Sequence, residues 1–368
     1  MLQLYPKLIL DALANVRYPG NGKDLVANDM IEDDIRINGN KVSFSIIFEK
    51  QTDPFVASVV KAAEAAINTF ISPEVELKGN IGVKFRRELP KAPDKLLPNV
   101  KNIIGVSSGK GGVGKSTVAS NLAVSLAQEG YKVGLLDADI FGPSVPKMFG
   151  VEDIDVFVEK QEDGSTKIIP PEAHGVKVLS IGFLVDKNNA VLWRGGMASN
   201  ALKQLIGDAK WGDLDYFVID MPPGTSDIHL TLVQTLGITG AIVVSTPQQV
   251  ALADARKGIS MFQSDKVNVP ILGLVENMAW FTPAAHPDEK YFIFGKEGCK
   301  KLAEELNVTL LGQIPLVASI CAGGDNGVPV AIANSVSGEA FRQLARSVIE
   351  AVNKRNEELP PTQKVEMH

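Results

Sequence analysis

The segment GKGGVGKST, residues 109–117, decides the fold class of this 368-residue chain. It directly follows the apolar run IIGVSS, residues 103–108, and directly precedes a stretch with helical spacing. Glycines in such a loop let the backbone aim several amides at phosphate oxygens, and the helix N-terminus adds its positive end. The pattern G-x-x-x-x-G-K-[ST] therefore predicts a phosphate-binding loop, or P-loop. Its predicted nucleotide-binding residues are Gly109, Lys110, Gly111, Gly112, Val113, Gly114, Lys115, Ser116 and Thr117.

Two side chains of this loop have specific predicted tasks. Lys115 places a cation on the β- and γ-phosphates of the nucleotide, which makes it a candidate catalytic residue. The Ser116 hydroxyl is a hard oxygen donor that can ligate Mg²⁺. ATP and Mg²⁺ are thus the predicted ligands of the loop.

Three aspartates end apolar runs that are predicted to be strands. The segment LLDADIFGPSVP supplies Asp137 and Asp139, and the segment YFVIDMPPGTSD supplies Asp220. Ligands of α/β proteins bind at the carboxyl ends of parallel strands, and phosphoryl transfer needs a metal and an oriented water. We predict that Asp220 holds Mg²⁺, usually through water. A single aspartate near a strand end is often only a helix cap, and Asp227 fits a cap as well as a functional role.

The order of apolar runs predicts two domains. Residues 1–85 read as a small α+β domain, with helices at 5–16 and 53–70 and strands at 41–48 and 75–83. Residues 86–98 contain three prolines and read as a linker, or alternatively as a loop within one domain. From residue 99 to 356, strands and helices alternate, and the strands are continuously apolar, which is typical of a parallel sheet covered on both faces. Residues 357–368 are predicted to be a frayed tail.

The predicted elements of the larger domain are short and regularly spaced. The strands are expected at 102–107, 132–137, 215–220, 239–245, 270–276 and 309–313, and the helices at 115–129, 228–236, 250–263 and 337–354. The fold class is therefore α/β: a P-loop NTPase with a mostly parallel sheet flanked by helices, preceded by the small α+β domain.

Composition excludes several other classes of protein. No apolar run approaches the roughly 20 residues of a membrane span, and the N-terminus lacks the features of a secretory signal. The two cysteines, Cys299 and Cys321, cannot form a disulfide framework, which suits the cytoplasm. The net charge of −6 disfavours a protein that coats nucleic acid. We expect neither a nucleic acid nor a membrane as partner.

The segment K-G-G-V-G-K-S resembles the deviant Walker A motif of the MinD, ParA and nitrogenase iron-protein class of ATPases. The resemblance implies that Lys110 reaches the γ-phosphate bound by the other subunit of a homodimer, although a solvated surface lysine is the alternative. It also implies that Asp139 orients the attacking water, while Asp137 supports Mg²⁺ and the lysines. It further implies that Asn277 and Pro315 line the adenine pocket, whereas by position alone Asn277 is more often a turn residue.

Further segments, among them VLSIGFL, Trp193-Arg194-Gly195, DYFVIDMPPGTSD and LGLVENMAW, closely resemble Mrp/ApbC proteins. This resemblance implies an iron–sulfur cluster carrier with slow, Mg²⁺-dependent ATP hydrolysis, which delivers clusters to apoproteins or works with iron–sulfur assembly proteins. The first 85 residues resemble the iron–sulfur-assembly domain that is fused to many bacterial members.

One departure from the family concerns the cluster ligands. Members generally carry C-x-x-C shortly after the Asn-Met pair, so that two subunits supply four thiolates to one four-iron four-sulfur cluster. Here Pro283 and His286 take these places, and Asp53 stands where relatives show cysteine. His286 is either a ligand or an exposed loop histidine, and Cys299 and Cys321 are most simply structural thiols. Two alternatives to the carrier remain: a MinD- or ParA-like switch that positions a protein partner without a cluster, and a metabolic kinase-like transferase.

Overall fold

The computed structural model describes residues 4–49, 53–77, 79–85, 96–140, 142–161, 164–184, 195–265, 267–283, 286 and 289–362. The chain divides into two compact units, Met1–Asp94 and Lys95–His368. Most of the predicted linker, and the Trp193-Arg194 pair, lie outside the described residues. The linker therefore stays a prediction.

The first unit is a three-stranded sheet packed against two helices. Its elements are α1 (Pro6–Leu13), β1 (Arg36–Asn38), β2 (Lys41–Phe48), α2 (Val56–Phe70) and β3 (Ile81–Phe85). The strands lie in the order β1-β2-β3, with β1 antiparallel and β3 parallel to β2. The alternating side chains Val42, Phe44 and Ile46 are buried against both helices, because successive strand residues point to opposite faces.

The last strand of this unit begins later in the chain than the sequence predicts. Residues 75–83 were expected to be extended throughout, but β3 begins only at Ile81. Val75 and Leu77 are buried in the preceding loop, where Glu76 makes a single bridge to Lys41. The apolar alternation there reflects burial in the core and not ladder pairing.

The second unit contains the remaining elements. In chain order they are β4 (Val100–Ser108), α3 (Lys115–Gln128), β5 (Val133–Asp137), α4 (Val145–Met148), β6 (Val158–Lys160), β7 (Thr166–Ile168), β8 (Glu172–Ala173), β9 (Val176–Ser180), α5 (Gly195–Gly207), β10 (Leu214–Asp220), α6 (Asp227–Thr235), β11 (Gly240–Ser245), α7 (Gln249–Gln263), β12 (Ile271–Glu276), α8 (Gly298–Leu306), β13 (Leu310–Gln313), α9 (Ala318–Asp325) and α10 (Val336–Glu358).

Eight of these strands form one sheet in the order β13-β12-β11-β4-β10-β5-β9-β8. Each adjacent pair is parallel except β8 and β9, which form an antiparallel hairpin at one edge. Separate apolar clusters cover the two faces, and helices α3 and α10 contribute to one of them and α5 and α6 to the other. The predicted mostly parallel α/β sheet is confirmed.

The pairing of β4 with β10, and of β10 with β5, positions the candidate site. Asp137 and Asp220 are paired residues at the carboxyl ends of β5 and β10. The P-loop leaves β4 at the same edge of the sheet, and α3 begins at Lys115. Parallel pairing therefore brings together three motifs that are far apart along the chain.

The C-terminal helix is longer than predicted. It ends at Glu358, and the Arg355 guanidinium donates to the carbonyl of Pro360 and to Thr362 Oγ1, both at 2.7 Å. The helix therefore continues past residue 357, where the tail is predicted to begin, and the fraying of the tail stays a prediction. Among the described helices, none has the length and apolarity needed to cross a bilayer.

Candidate nucleotide-binding site

The P-loop connects β4 to α3 and depends on its glycines for two different reasons. A Cβ on Gly109 would lie 2.1 Å from the carbonyl carbon of Asp254 in α7, so only glycine fits there. Gly112 and Gly114 both have φ of +82°, a left-handed conformation that side chains rarely adopt. The turn that these residues allow ends in the N-terminus of α3, where backbone amides are unpaired and attract anions.

Lys115 is the centre of the site. Its ammonium is buried and lies 2.5 Å from Asp220 Oδ1 and 3.5 Å from Asp139 Oδ2, and it donates to Ser116 Oγ at 3.2 Å. The structure thus brings together four predicted site residues from three segments of the chain. These carboxylates neutralise the cation that the sequence assigns to phosphate binding.

Asp137 is held in place by three donors. Ser180 Oγ donates to Asp137 Oδ2 at 3.0 Å, the Val145 amide donates to the same oxygen at 3.2 Å, and the Asp139 amide donates to Oδ1 at 3.1 Å. Burial, followed by the nearby charge of Asp220, raises the pKa of Asp137 to about 8. Asp137 therefore fixes the backbone that carries Asp139.

Two carboxylate oxygens in the site have no hydrogen-bond partner among the described residues. They are Asp220 Oδ2 and Asp139 Oδ1, and both are buried. Burial raises the pKa of Asp220, and the charge of Lys115 opposes this shift. Because buried polar oxygens are normally paired, these two atoms indicate that the site is built for a further ligand.

The donors present fit Mg²⁺. Magnesium prefers hard oxygen ligands and commonly binds one or two carboxylates together with phosphates and water. Ser116 Oγ and the free oxygen of Asp220 satisfy that requirement beside the P-loop. Within the described ranges, no group of three or more His, Cys, Asp and Glu side chains is arranged to hold a metal ion by itself.

Asn277 contacts the P-loop directly. Its Nδ2 donates to the carbonyl of Val113 at 2.8 Å, and a Cβ on Gly114 would approach that nitrogen to 2.2 Å. Pro315 is buried just after β13, and the Ile314 amide donates to the carbonyl of Glu276. Asn277 thus supports the loop backbone, and the adenine contacts of Asn277 and Pro315 stay predictions.

Lys110 has a half-buried side chain at the rim of the loop. Its carbonyl accepts a hydrogen bond from Ser108 Oγ at 2.9 Å, which orients the start of the loop. In the part of the chain that the structure describes, no carboxylate lies within ion-pair distance of its ammonium. The contact of Lys110 with a second subunit stays a prediction.

Sequence reasoning missed one buried polar group beside the site. His229 of α6 contacts Ser226, which precedes this helix, and Ser107 of β4. The spacing Ser226-x-x-His229 is that of a helix capping box with histidine in place of glutamine, and this signal could have revealed it. Asp227 is the first residue of α6 and Ser226 occupies the cap position, so the cap suggested for Asp227 belongs to its neighbour.

The residues at the expected cluster position do not fit an iron–sulfur cluster. His286 is exposed and lies 3.6 Å from Glu289, and Pro283 offers no ligand atom. Cys299 is buried in α8, where burial raises the pKa of its thiol. Cys321 is exposed on α9, and the Asp325 carboxylate at 3.5 Å from its sulfur raises the pKa of its thiol.

The strand, loop and helix around Lys115, together with the Asp220 strand, define a P-loop NTPase with a mostly parallel sheet. The chain belongs to the family of NUBPL iron-transfer P-loop NTPases, whose model matches residues 99–349. A second family model, the iron–sulfur cluster assembly protein, matches residues 7–76. The two matches cover parts of both compact units.

Named relatives support the same family. An iron–sulfur cluster carrier protein of Synechocystis is 44% identical over 92% of this chain and 96% of its own length. The carrier protein of Escherichia coli is 50% identical over 71% of this chain and 69% of its own length. The nucleotide-binding protein of Archaeoglobus fulgidus, solved in complex with ADP, matches with a TM-score of 0.54 at 37% identity, over 63% of this chain and 88% of that one.

Proposed function

We propose that this protein is an ATP-binding and ATP-hydrolysing carrier that helps deliver iron–sulfur clusters to apoproteins. The observation that carries the proposal is the position of Lys115, at the N-terminus of a P-loop helix and in contact with both Asp139 and Asp220. Membership of the iron-transfer family and the names of its relatives support the cargo. The working form is a homodimer in the cytoplasm.

The geometry suggests how ATP would be hydrolysed. Incoming phosphates compete with Asp220 and Asp139 for the Lys115 ammonium, so binding releases these carboxylates. Asp139 can then accept a hydrogen bond from the attacking water through its unpaired Oδ1. Bound Mg²⁺, held by Ser116 and Asp220, would neutralise charge that develops on the phosphates. Turnover is slow, and closure of the dimer is its useful result.

Lys110 is proposed to complete the site of the other subunit. We expect Lys110→Ala to leave each subunit folded but to reduce the compaction of the dimer that a non-hydrolysable ATP analogue causes, since the ammonium would no longer bridge to phosphate. Small-angle scattering with and without the analogue measures this change. Lys257→Ala, which removes an exposed lysine of α7, is the matched control. Identical nucleotide-dependent profiles for wild type and Lys110→Ala would rule out the bridging role.

The cargo would be held weakly. A bridging cluster needs about four soft ligands, and one subunit offers only Cys299, which is buried, and Cys321. After anaerobic reconstitution with iron and sulfide, we expect the cluster to be lost on desalting, and iron and sulfide counted per dimer would measure the loss. ATP hydrolysis should persist in the Cys299→Ala, Cys321→Ala double variant, because neither thiol lies in the P-loop site. A stoichiometric cluster that survives desalting would contradict this expectation.

The missing thiolates also favour a second function. A protein of this fold can act as a nucleotide-switched dimer that positions a protein partner and carries no cluster. Two observations favour it. Where the family has cysteines, this chain has Pro283, which has no atom that can bind a cluster, and the exposed His286. Transfer of labelled iron from the reconstituted protein to an apoprotein separates the two functions, since a switch alone would transfer none.

A further inference from the structure

His229 is a buried imidazole next to the nucleotide site that the proposed mechanism does not use. It is 1% exposed, and its ring packs edge-on against Phe262. Burial lowers the pKa of His229 to about 4. The ring is therefore neutral at pH 7 and offers one hydrogen-bond donor and one acceptor.

The contacts of the ring decide which nitrogen carries the proton. The backbone amide of Ser226 lies 3.2 Å from Nδ1 and its hydroxyl lies 3.3 Å from the same atom. An amide can only donate, so Nδ1 is the acceptor and Nε2 carries the hydrogen. Nε2 lies 3.4 Å from Ser107 Oγ, to which it can donate, and the backbone of Pro222, in the turn after Asp220, is a further hydrogen-bond partner of the ring.

This imidazole connects two segments that border the P-loop and the Asp220 strand. Ser107 lies in β4 just before the P-loop, and Ser226 closes the turn that follows Asp220. The backbone links the same segments twice, because the Met221 amide donates to the carbonyl of Val106 at 3.0 Å and the Gly224 amide donates to that of Ser108 at 2.8 Å. His229 adds a side-chain link beside them.

We propose that His229 is a positioning residue for ATP hydrolysis, which fixes the turn at Pro222–Thr225 against the strand that enters the P-loop. The inference rests on the proposed hydrolysis, because the turn follows Asp220, a proposed Mg²⁺ ligand, and its Gly224 amide bonds to Ser108, the residue before the P-loop. A displaced turn would misplace groups that act in the transition state, which lowers kcat more than it weakens substrate binding. The competing interpretation is that His229 only caps α6 through Ser226.

Two substitutions separate the bridge from the cap. The amide oxygen of asparagine lies as many bonds from Cα as Nδ1 does, so His229→Asn keeps the acceptor for Ser226 but does not reach Ser107. Glutamine places a nitrogen donor as many bonds from Cα as Nε2, and its oxygen can accept from the cap amide as in a capping box. His229→Gln therefore keeps both bonds.

Steady-state phosphate release by the full chain tests the proposal. We expect His229→Asn to lower kcat about tenfold with KM for ATP changed less than about twofold, and His229→Gln to stay within about twofold of wild type. Ser107→Ala should reproduce the loss, and combining it with His229→Asn should add nothing further, since both remove one bond. His174→Gln is the control, because this half-buried histidine contacts Gly327 instead.

Two results would contradict the proposal. Wild-type turnover in His229→Asn would mean that His229 only caps α6, and equal losses of turnover in the Asn and Gln variants would mean that the bond to Ser107 does not matter for hydrolysis. Thermal midpoints of all variants, compared with that of His174→Gln, separate loss of the folded state from loss of positioning. If wild type releases no phosphate, the proposed hydrolysis fails as well, whereas an active wild type with the wrong variant pattern refutes only the inference on His229.

Discussion

Lys115→Ala is expected to weaken ATP binding at least about a hundredfold. The ammonium is buried in the site and, once released from Asp220 and Asp139, would bond to two phosphates. Hydrogen bonds between charged groups contribute about 1.5–3 kcal/mol each, and about 2.7 kcal/mol corresponds to a hundredfold change in affinity. Titration calorimetry with a non-hydrolysable ATP analogue measures the loss.

The Lys115 variant should still fold. Without the cation, the buried carboxyl of Asp220 can take up a proton, because burial already raises its pKa. Circular dichroism measures whether the variant is folded. Lys101→Ala is the matched control, since it removes an exposed lysine that is paired with Asp215 on β10. Retention of wild-type affinity in folded Lys115→Ala would refute the assignment of the P-loop cation.

Asp139→Ala is expected to bind ATP within a few-fold of wild type and to lose about a hundredfold or more in kcat. Its proposed task, orienting the attacking water, exists only in the transition state, and general-base contributions of this kind amount to about 10²–10⁴-fold. The side chain is held at 3.5 Å from Lys115 and has a free oxygen, whereas Asp137 is fully hydrogen-bonded. Single-turnover phosphate release, measured together with calorimetric affinity, separates the two effects.

Two further variants accompany Asp139→Ala: Asp139→Asn tests the role of its charge, and Asp213→Asn is the control. The first keeps the size of the side chain but removes its negative charge and its ability to accept a proton, so it should reproduce the loss of turnover. The second neutralises an exposed aspartate before β10 and should change neither quantity. Equal losses of affinity in Asp139→Ala and Lys115→Ala would contradict the role given to Asp139.

The larger unit was predicted well where strands are buried on both faces. The run 215–220 corresponds to β10 (Leu214–Asp220), and the run 270–276 to β12 (Ile271–Glu276), because a continuously apolar stretch between turns has few other arrangements. The hairpin of β6 and β7 was missed, since its strands are short and largely exposed and carry little hydrophobic pattern. In the α+β unit, only the bounds of β2 agree with the prediction, because apolar and polar residues alternate regularly along this strand.

The sequence predicts the separate motifs of the candidate site, but it does not predict the distances and contacts between them. Lys115 and Ser116 follow from spacing, because a phosphate cradle needs glycines and a helix start at fixed offsets. The three aspartates are candidates because they lie at the ends of apolar strands, where α/β proteins bind ligands. That the Asn277 amide would bind the Val113 carbonyl depends on a contact 164 residues apart along the chain. The relation of His229 to Ser107 spans 122 residues and has no signature in either segment alone.

The amino-acid sequence by itself determined the fold class, the P-loop, the candidate acids and the absence of the family's C-x-x-C, because these depend on residue types at short spacing. Only the tertiary structure decided which groups are paired and which are free. It tied Lys115 to Asp220 and Asp139, left one oxygen of each aspartate unpartnered among the described residues, and buried Cys299 away from solvent. The physical reason is that pairing and burial depend on which strand lies beside which, and parallel pairing places β5, β10 and β4 side by side although they are distant in the chain.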